Sequence, residues 1–285
     1  MDALRSRLVG EPLERVLVRS FFFVRTPDPV PDAAVGKAVR EVRRLGKRII
    51  LGFQGDLFFV FHLMITGRFR WRKRGTKPPG KRGLAAFDFP GGTLLVTEEG
   101  TKKRASLHVV RGEAALADFD RGGLEPLDAD LDAFRAALTR GNHTLKRSLT
   151  DPRIFSGIGN AFSDEILHAA RLSPFKVTGK ISDEESARLF EAVQAVLTTW
   201  LDRLREDVGD GFPEKVTAFR AGFAVHGRYR EPCPDCGAPV QRVVYAENEM
   251  NYCARCQTGG RVLADRSLSR LLKDDWPKTI DELEG

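Results

Sequence analysis

The chain has 285 residues, 42% of them hydrophobic, and a formal net charge of +7. That is apolar material for two ordinary domains, and no apolar run approaches the length of a membrane span. The opening MDALRSRLVG has neither the apolar core nor the cleavage site of a signal peptide, so membrane and secreted classes are set aside and a reducing, cytoplasmic compartment is expected.

In chain order, the first ten residues read as the end of a helix. Leu4 and Leu8 share a face at i, i+4, Asp2 is the available cap, and Gly10 suits the position just past a helix C-terminus. From Leu13 to about Val110 the period is two. Val16 and Val18 alternate with Arg15 and Arg19, and Ile49, Leu51 and Phe53 lead into a turn at Gln54-Gly55-Asp56. Leu57, Phe59, Phe61, Leu63 and Ile65 then fall on one face, followed by Phe69 and Trp71. Phe87 and Phe89 run to the turn Pro90-Gly91-Gly92, and Leu94 to Thr97 is extended again. Several short strands between turns predict a β-sandwich or barrel.

Positive charge is clustered in this region. Between Gly67 and Gly83 eight basic residues, Arg68 through Arg82, stand with no acidic one, and Lys37 to Arg48 holds six against Glu41 alone. A solvated face explains either run singly; two together suit a polyanion whose phosphates supply most of the affinity. Glu113 to Asp132 reverses the sign with seven acidic residues and marks a linker.

After the linker the period becomes helical. Leu131, Phe134 and Leu138 mark one helix; Asn142 is a candidate cap for a second carrying Leu145 and Leu149, which Asp151-Pro152 breaks. In PRIFSGIGNAFSDEIL a glycine-containing turn opens a helix at about Asn160, with Phe162 and Ile166 inward. The Gly157-Ile158-Gly159 triplet follows a helix and lacks a third glycine at the dinucleotide spacing, so a helix N-terminus offering free N–H groups to a phosphate is the better use of it. Ser182 and Glu185 form a capping box for a long helix with Leu189, Val193, Val196, Leu197, Trp200 and Leu204 on its apolar stripe.

The chain's four cysteines, Cys233, Cys236, Cys253 and Cys256, form two C-x-x-C pairs sixteen residues apart. Each pair can reach one ion from a tight knuckle, and the spacer is long enough for a hairpin to return the second pair. Two disulfides are the alternative, which a reducing compartment disfavours. Four thiolates fill a tetrahedral shell, so one structural zinc ion is expected.

The β-rich N-terminal half, the GIGNAFSDEIL helix and a finger closing on NYCARCQ together resemble the formamidopyrimidine-DNA glycosylase and endonuclease VIII family of base-excision enzymes, over almost the whole chain to Gln257. The resemblance implies an α+β architecture: a catalytic-type β-sandwich over residues 1–117, an acidic linker at 118–130, a helical helix-two-turn-helix domain over 131–222, a zinc ribbon over 223–260 and a tail at 261–285. It implies a monomer at the nucleoid that binds double-stranded DNA containing damaged bases or abasic sites, held in a cleft between the halves. By motif, Lys47 in RRLGKRII matches a lysine near the lesion sugar and its phosphate, with an accessory catalytic role. His62 in HLMITG matches a phosphate-contacting histidine, Asn160 in GIGN the asparagine beside the lesion phosphates, and Lys146 in HTLKRSLTD a basic residue of the preceding helix. Without the family, His62 suits a satisfied sandwich histidine, Lys47 a solvated face and Asn160 a helix cap.

This chain departs from the family pattern at four places. Members begin Pro-Glu-Leu-Pro-Glu after loss of Met, and the proline α-amine attacks the sugar C1′, expels the base and forms a Schiff base while the glutamate moves protons. The sequence given starts beyond that segment, so its true N-terminus is expected upstream of Met1, and the 285-residue chain is expected to bind DNA but form the adduct poorly. A protein without the nucleophile would be a DNA-binding paralogue. The family's HLGMSG reads HLMITG, placing Ile65 where the methionine wedge belongs. The hairpin arginine that touches DNA phosphate is here Asn248, and a tail with Leu268, Leu271 and Leu272 follows the last cysteine.

Overall fold

The structure, a computed structural model, describes residues 1–214, 221–245, 248–265, 270–271 and 277–284. Its contacts divide the chain into two compact units, Met1–Arg121 with Arg205–Ala218, and Gly122–Leu204 with Phe219–Gly285.

The first unit opens with helix α1 (Asp2–Leu8), whose Leu4 and Leu8 are buried. Eight strands follow: β1 (Arg15–Val18), β2 (Val39–Leu45), β3 (Arg48–Phe53), β4 (Leu57–His62), β5 (Gly67–Arg72), β6 (Gly83–Phe89), β7 (Gly92–Glu98) and β8 (Ser106–Arg111). They form two four-stranded sheets, ordered β1-β6-β7-β5 and β2-β3-β4-β8, with antiparallel neighbours throughout. Phe53, Phe59, Phe61, Phe69 and Phe87 interlock at the centre, Phe61 lying edge-on to Phe69 and Phe87 at 5.1 and 5.6 Å. Alternation does not mean one dry face and one wet one here: Phe58 and Val60, on the other face of β4, pack with Ile50 and Leu116 in a smaller cluster. Strands β6 and β7 are buried at every position, as strands covered on both faces are.

Two expectations change in this unit. The β4 strand stops at His62, and Leu63 to Thr66 form a turn closed by the Gly67 N–H donating to the Leu63 carbonyl at 2.9 Å. A Cβ on Gly67 would sit 2.2 Å from that carbonyl oxygen, so a side chain there would break the turn, and Ile65 is left 71% exposed at its tip. The basic run from Gly67 to Gly83 is also less open than it reads. Arg70 pairs with Glu99 and Glu214, Arg72 with Glu214, Arg74 with Glu14 and Arg82 with Glu99. The carboxylates come from outside the run, where local charge counting does not look.

In the second unit, helices α2 (Leu131–Leu138), α3 (Leu145–Thr150), α4 (Asn160–Ala169) and α5 (Asp183–Val208) pack around Phe134, Phe155, Ile166 and Leu189. Asp130 caps α2 through the Ala133 N–H. Thr144, not Asn142, caps α3 by accepting from the Arg147 N–H, while Asn142 accepts from the Gly179 N–H. The Ser182–Glu185 capping box is reciprocal, at 3.0 and 3.2 Å. Between α3 and α4, Asp151 takes the backbone and side-chain N–H groups of Arg153, which hold its carboxyl down at about 2. The same unit carries the hairpin β9 (Gln241–Tyr245) and β10 (Asn248–Tyr252), then the short helix α6 (Ala254–Thr258). Leu268 and Leu272 lie outside the described residues; Leu271 is exposed.

Candidate nucleic-acid interface and zinc centre

The ribbon's four sulfurs all lie within 4.8 Å of one another, with Cys233 to Cys256 at 3.9 Å and Cys236 to Cys253 at 3.4 Å. A tetrahedral ion with Zn–S bonds of about 2.3 Å needs sulfurs about 3.8 Å apart, so the four fit one zinc. As a thiol Cys253 is pushed up to about 12 by burial, and a dication reverses that preference by drawing thiolates. The cysteines are unbridged. His168 of α4 brings Nε2 to 3.3 Å from the Cys233 sulfur, a distance at which a ring N–H donates to a thiolate and spreads its charge.

Helix α4 meets the ribbon along one face. Asn160, Asp164 and His168 recur every four residues, so they stack on one side of the helix. The Asn160 Nδ2 donates to the Glu249 carbonyl at 2.6 Å, Asp164 accepts from the Asn251 N–H at 3.1 Å and pairs with His226 at 2.7 Å, and His168 reaches the cysteine. Beside them the buried Glu165 accepts from three successive N–H groups, those of Ala224, Val225 and His226. Among the described residues no side chain caps α4: Gly159 stands at its N-cap with an extended backbone, and Asn160 is exposed beside it. The helix thus presents uncapped N–H groups and the positive end of its dipole next to a solvent-facing amide, an arrangement that suits an oxyanion.

Lys146 supports that turn from inside. It is 6% exposed, and its ammonium donates to the Asn160 carbonyl, the Ser163 hydroxyl and the Asp164 carboxylate at 2.7, 2.7 and 2.5 Å. Burial lowers its pKa, with Asp164 opposing the shift. All three donors are used within the protein, so Lys146 holds the Asn160 turn in place from inside.

In the other unit Lys47 and His62 come together. Lys47 is exposed in the turn joining β2 to β3, and β3 pairs with β4 so that Arg48 stands opposite His62. His62 is partly buried; desolvation first, then the charges of Arg48, Lys47 and His108, lower its pKa. Desolvation also lowers the Lys47 pKa despite its exposure. Arg48 itself is held by donating to the Phe119 carbonyl at 3.2 Å and lying over the Phe119 ring. Its cationic neighbours disfavour a proton on His62, an effect that an arriving anion would oppose. The Asn248 side chain lies outside the described residues.

Asp164, Glu165, His168, His226 and Asn251 did not stand out in the sequence. The available signal was the charged pair Asp164-Glu165 at inward positions of an amphipathic helix, where only partnered carboxylates are tolerated.

Three family models match along the chain: the formamidopyrimidine-DNA glycosylase N-terminal domain at residues 1–103, the H2TH domain of the same glycosylase at 123–207, and the zinc finger found in FPG and IleRS at 230–259. The formamidopyrimidine-DNA glycosylase of Heliobacterium modesticaldum is 33% identical over 267 residues, covering 90% of this chain and 95% of the relative. An uncharacterized formamidopyrimidine-DNA glycosylase-like protein of Mycobacterium tuberculosis is 43% identical over 151 residues, 53% of this chain and 94% of its own. Among solved structures, the MutM (Fpg) protein from Thermus thermophilus superposes with a TM-score of 0.74 at 31% identity, covering 90% of this chain and 95% of that one. The Lactococcus lactis Fpg in complex with abasic-site DNA reaches 0.79 at 22% identity, covering 90% and 96%, and shows the shared fold.

Proposed function

The chain belongs to the formamidopyrimidine-DNA glycosylase family, and we propose that it removes damaged bases from double-stranded DNA in base excision repair and then cleaves the resulting abasic site. The observation that carries this reading is the Asn160 turn: an exposed amide on an uncapped helix N-terminus, braced from beneath by Lys146 and from the side by the zinc ribbon. Such a turn grips backbone phosphates without reading bases, which is what an enzyme acting on a rare lesion in any sequence requires. In this reading Lys47 and His62 supply a second phosphate contact, and Ile65, whose exposure on its turn supports it, fills the gap left by a displaced base.

The chemistry proposed is attack of an N-terminal α-amine on the sugar C1′, releasing the base and leaving an iminium that β-elimination resolves into a broken strand. An α-amine suits this because its pKa of about 8 leaves a neutral fraction at neutral pH. Lys47 is an accessory cation at the sugar phosphate. Borohydride reduction on an abasic-site duplex, using protein purified from its native cells, tests the scheme. A covalent adduct at an N-terminal amine is expected by mass spectrometry. An adduct on Lys47 would overturn the α-amine assignment, and tight binding without any adduct would overturn the enzymatic reading.

A further inference from the structure

Phe21 and Phe22 are 86% and 83% exposed, the most exposed large hydrophobic side chains among the described residues. They are held that way. Phe23, next in the same turn of 3-10 helix, is buried to 1% and packs against Phe61 at 6.4 Å, and the following Val24 and Arg25 are tied to Leu107. Anchoring one ring of three fixes the turn and leaves the other two in water.

The two rings border a recess of 550 Å³ that is also lined by Arg19, Lys81, Leu84 and Lys103, with no carboxylate in its lining. Arg19 donates to the Pro78 carbonyl at 3.2 Å and Lys103 to the Glu98 carbonyl, so both are oriented by neutral oxygens that leave their charge in place. The Glu98 carboxylate is occupied by the N–H groups of Arg104 and Ala105. The neighbouring arginines of β5 differ: Arg70 and Arg72 are answered by Glu99 and Glu214. Beside the bare phenylalanines, then, stand three cations that form no ion pair among the described residues.

We propose that Phe21, Phe22, Arg19, Lys81 and Lys103 form a binding surface for unpaired, single-stranded DNA. Flat bases stack on the two rings and the phosphates between them take the three cations, a combination that tolerates any sequence because every base has a π-face. Three cations and no carboxylate line the recess beside the rings, which suits the phosphates of a nucleic acid better than an apolar peptide anchor. The surface shares no residue with the Asn160 turn or the Lys47–His62 cluster, and the proposal does not rest on base excision.

Fluorescence anisotropy of the full chain with a short end-labelled oligothymidylate tests it. Phe21→Ala combined with Phe22→Ala is expected to weaken binding at least about tenfold, as loss of base–aromatic stacking does, with the melting temperature and the affinity for an intact duplex unchanged. Lys81→Glu is expected to weaken binding and flatten its salt dependence. Asn160→Ala is expected to leave oligothymidylate binding as it was. Wild-type affinity in the double phenylalanine variant, or no binding by the wild type, would overturn the proposal. So would capture of an acidic, phenylalanine-containing peptide in place of the oligonucleotide, which would assign the surface to a protein partner.

Discussion

The phosphate contact proposed for His62 would carry a pH signature. Burial and its cationic neighbours hold its folded pKa below the ordinary 6.5. The unfolded chain therefore binds the proton first, so His62 contributes stability above about pH 6.5 that is lost as pH falls through the folded value. A DNA phosphate acts in the opposite direction: it favours the imidazolium, raises the pKa and couples binding to proton uptake. An NMR titration is expected to place the His62 ring below 6.5 in the free protein and to move it upward when an abasic-site duplex is added. His62→Gln is expected to flatten the rise in affinity between about pH 8 and pH 6. A His62 resonance that does not move with DNA would show that its role is internal to the sandwich.

At the scale of elements, α4 acts as the spine of the second unit, joining the Asn160 turn to the zinc site through contacts at Asn160, Asp164, Glu165 and His168. Its buried charges make sense only together. Lys146→Met removes the ammonium and leaves Asp164 with His226 and one backbone N–H, so unfolding is expected to cost less by about 3 kcal/mol in urea titration, the scale of a broken buried pair. Weaker DNA binding should accompany it, because the Asn160 carbonyl loses its support. Unchanged stability would mean that the ammonium contributes nothing net.

The capping box, the helix start at Asn160 and the zinc ligands were legible in the sequence because each is a local signal at fixed spacing. The interior role of Lys146 was not, because a lysine in a helix reads as a surface charge until its partners Ser163 and Asp164, on the next helix, are known. The basic run after Gly67 misled for the same reason: Glu14, Glu99 and Glu214 reach it only through the fold. Thr144 displaced Asn142 as a cap because the helix starts later than the run of polar residues before it suggests.

For the whole molecule, the net charge of +7 gives general attraction to nucleic acid but no discrimination between intact and damaged strands. Discrimination has to come from placed groups, and the Asn160 turn is the one whose construction draws on helix dipole, buried lysine and zinc ribbon together. Equilibrium binding of the full chain to an abasic-site duplex and to the same duplex intact, across a range of salt, tests this most directly. The abasic duplex is expected to bind more tightly, with log affinity falling linearly against log salt. Asn160→Ala is expected to lose about tenfold on the abasic duplex while keeping its helical content, on the scale of a charge-assisted hydrogen bond. Equal affinity for damaged and intact duplexes, together with an Asn160→Ala variant that binds like the wild type, would contradict the account.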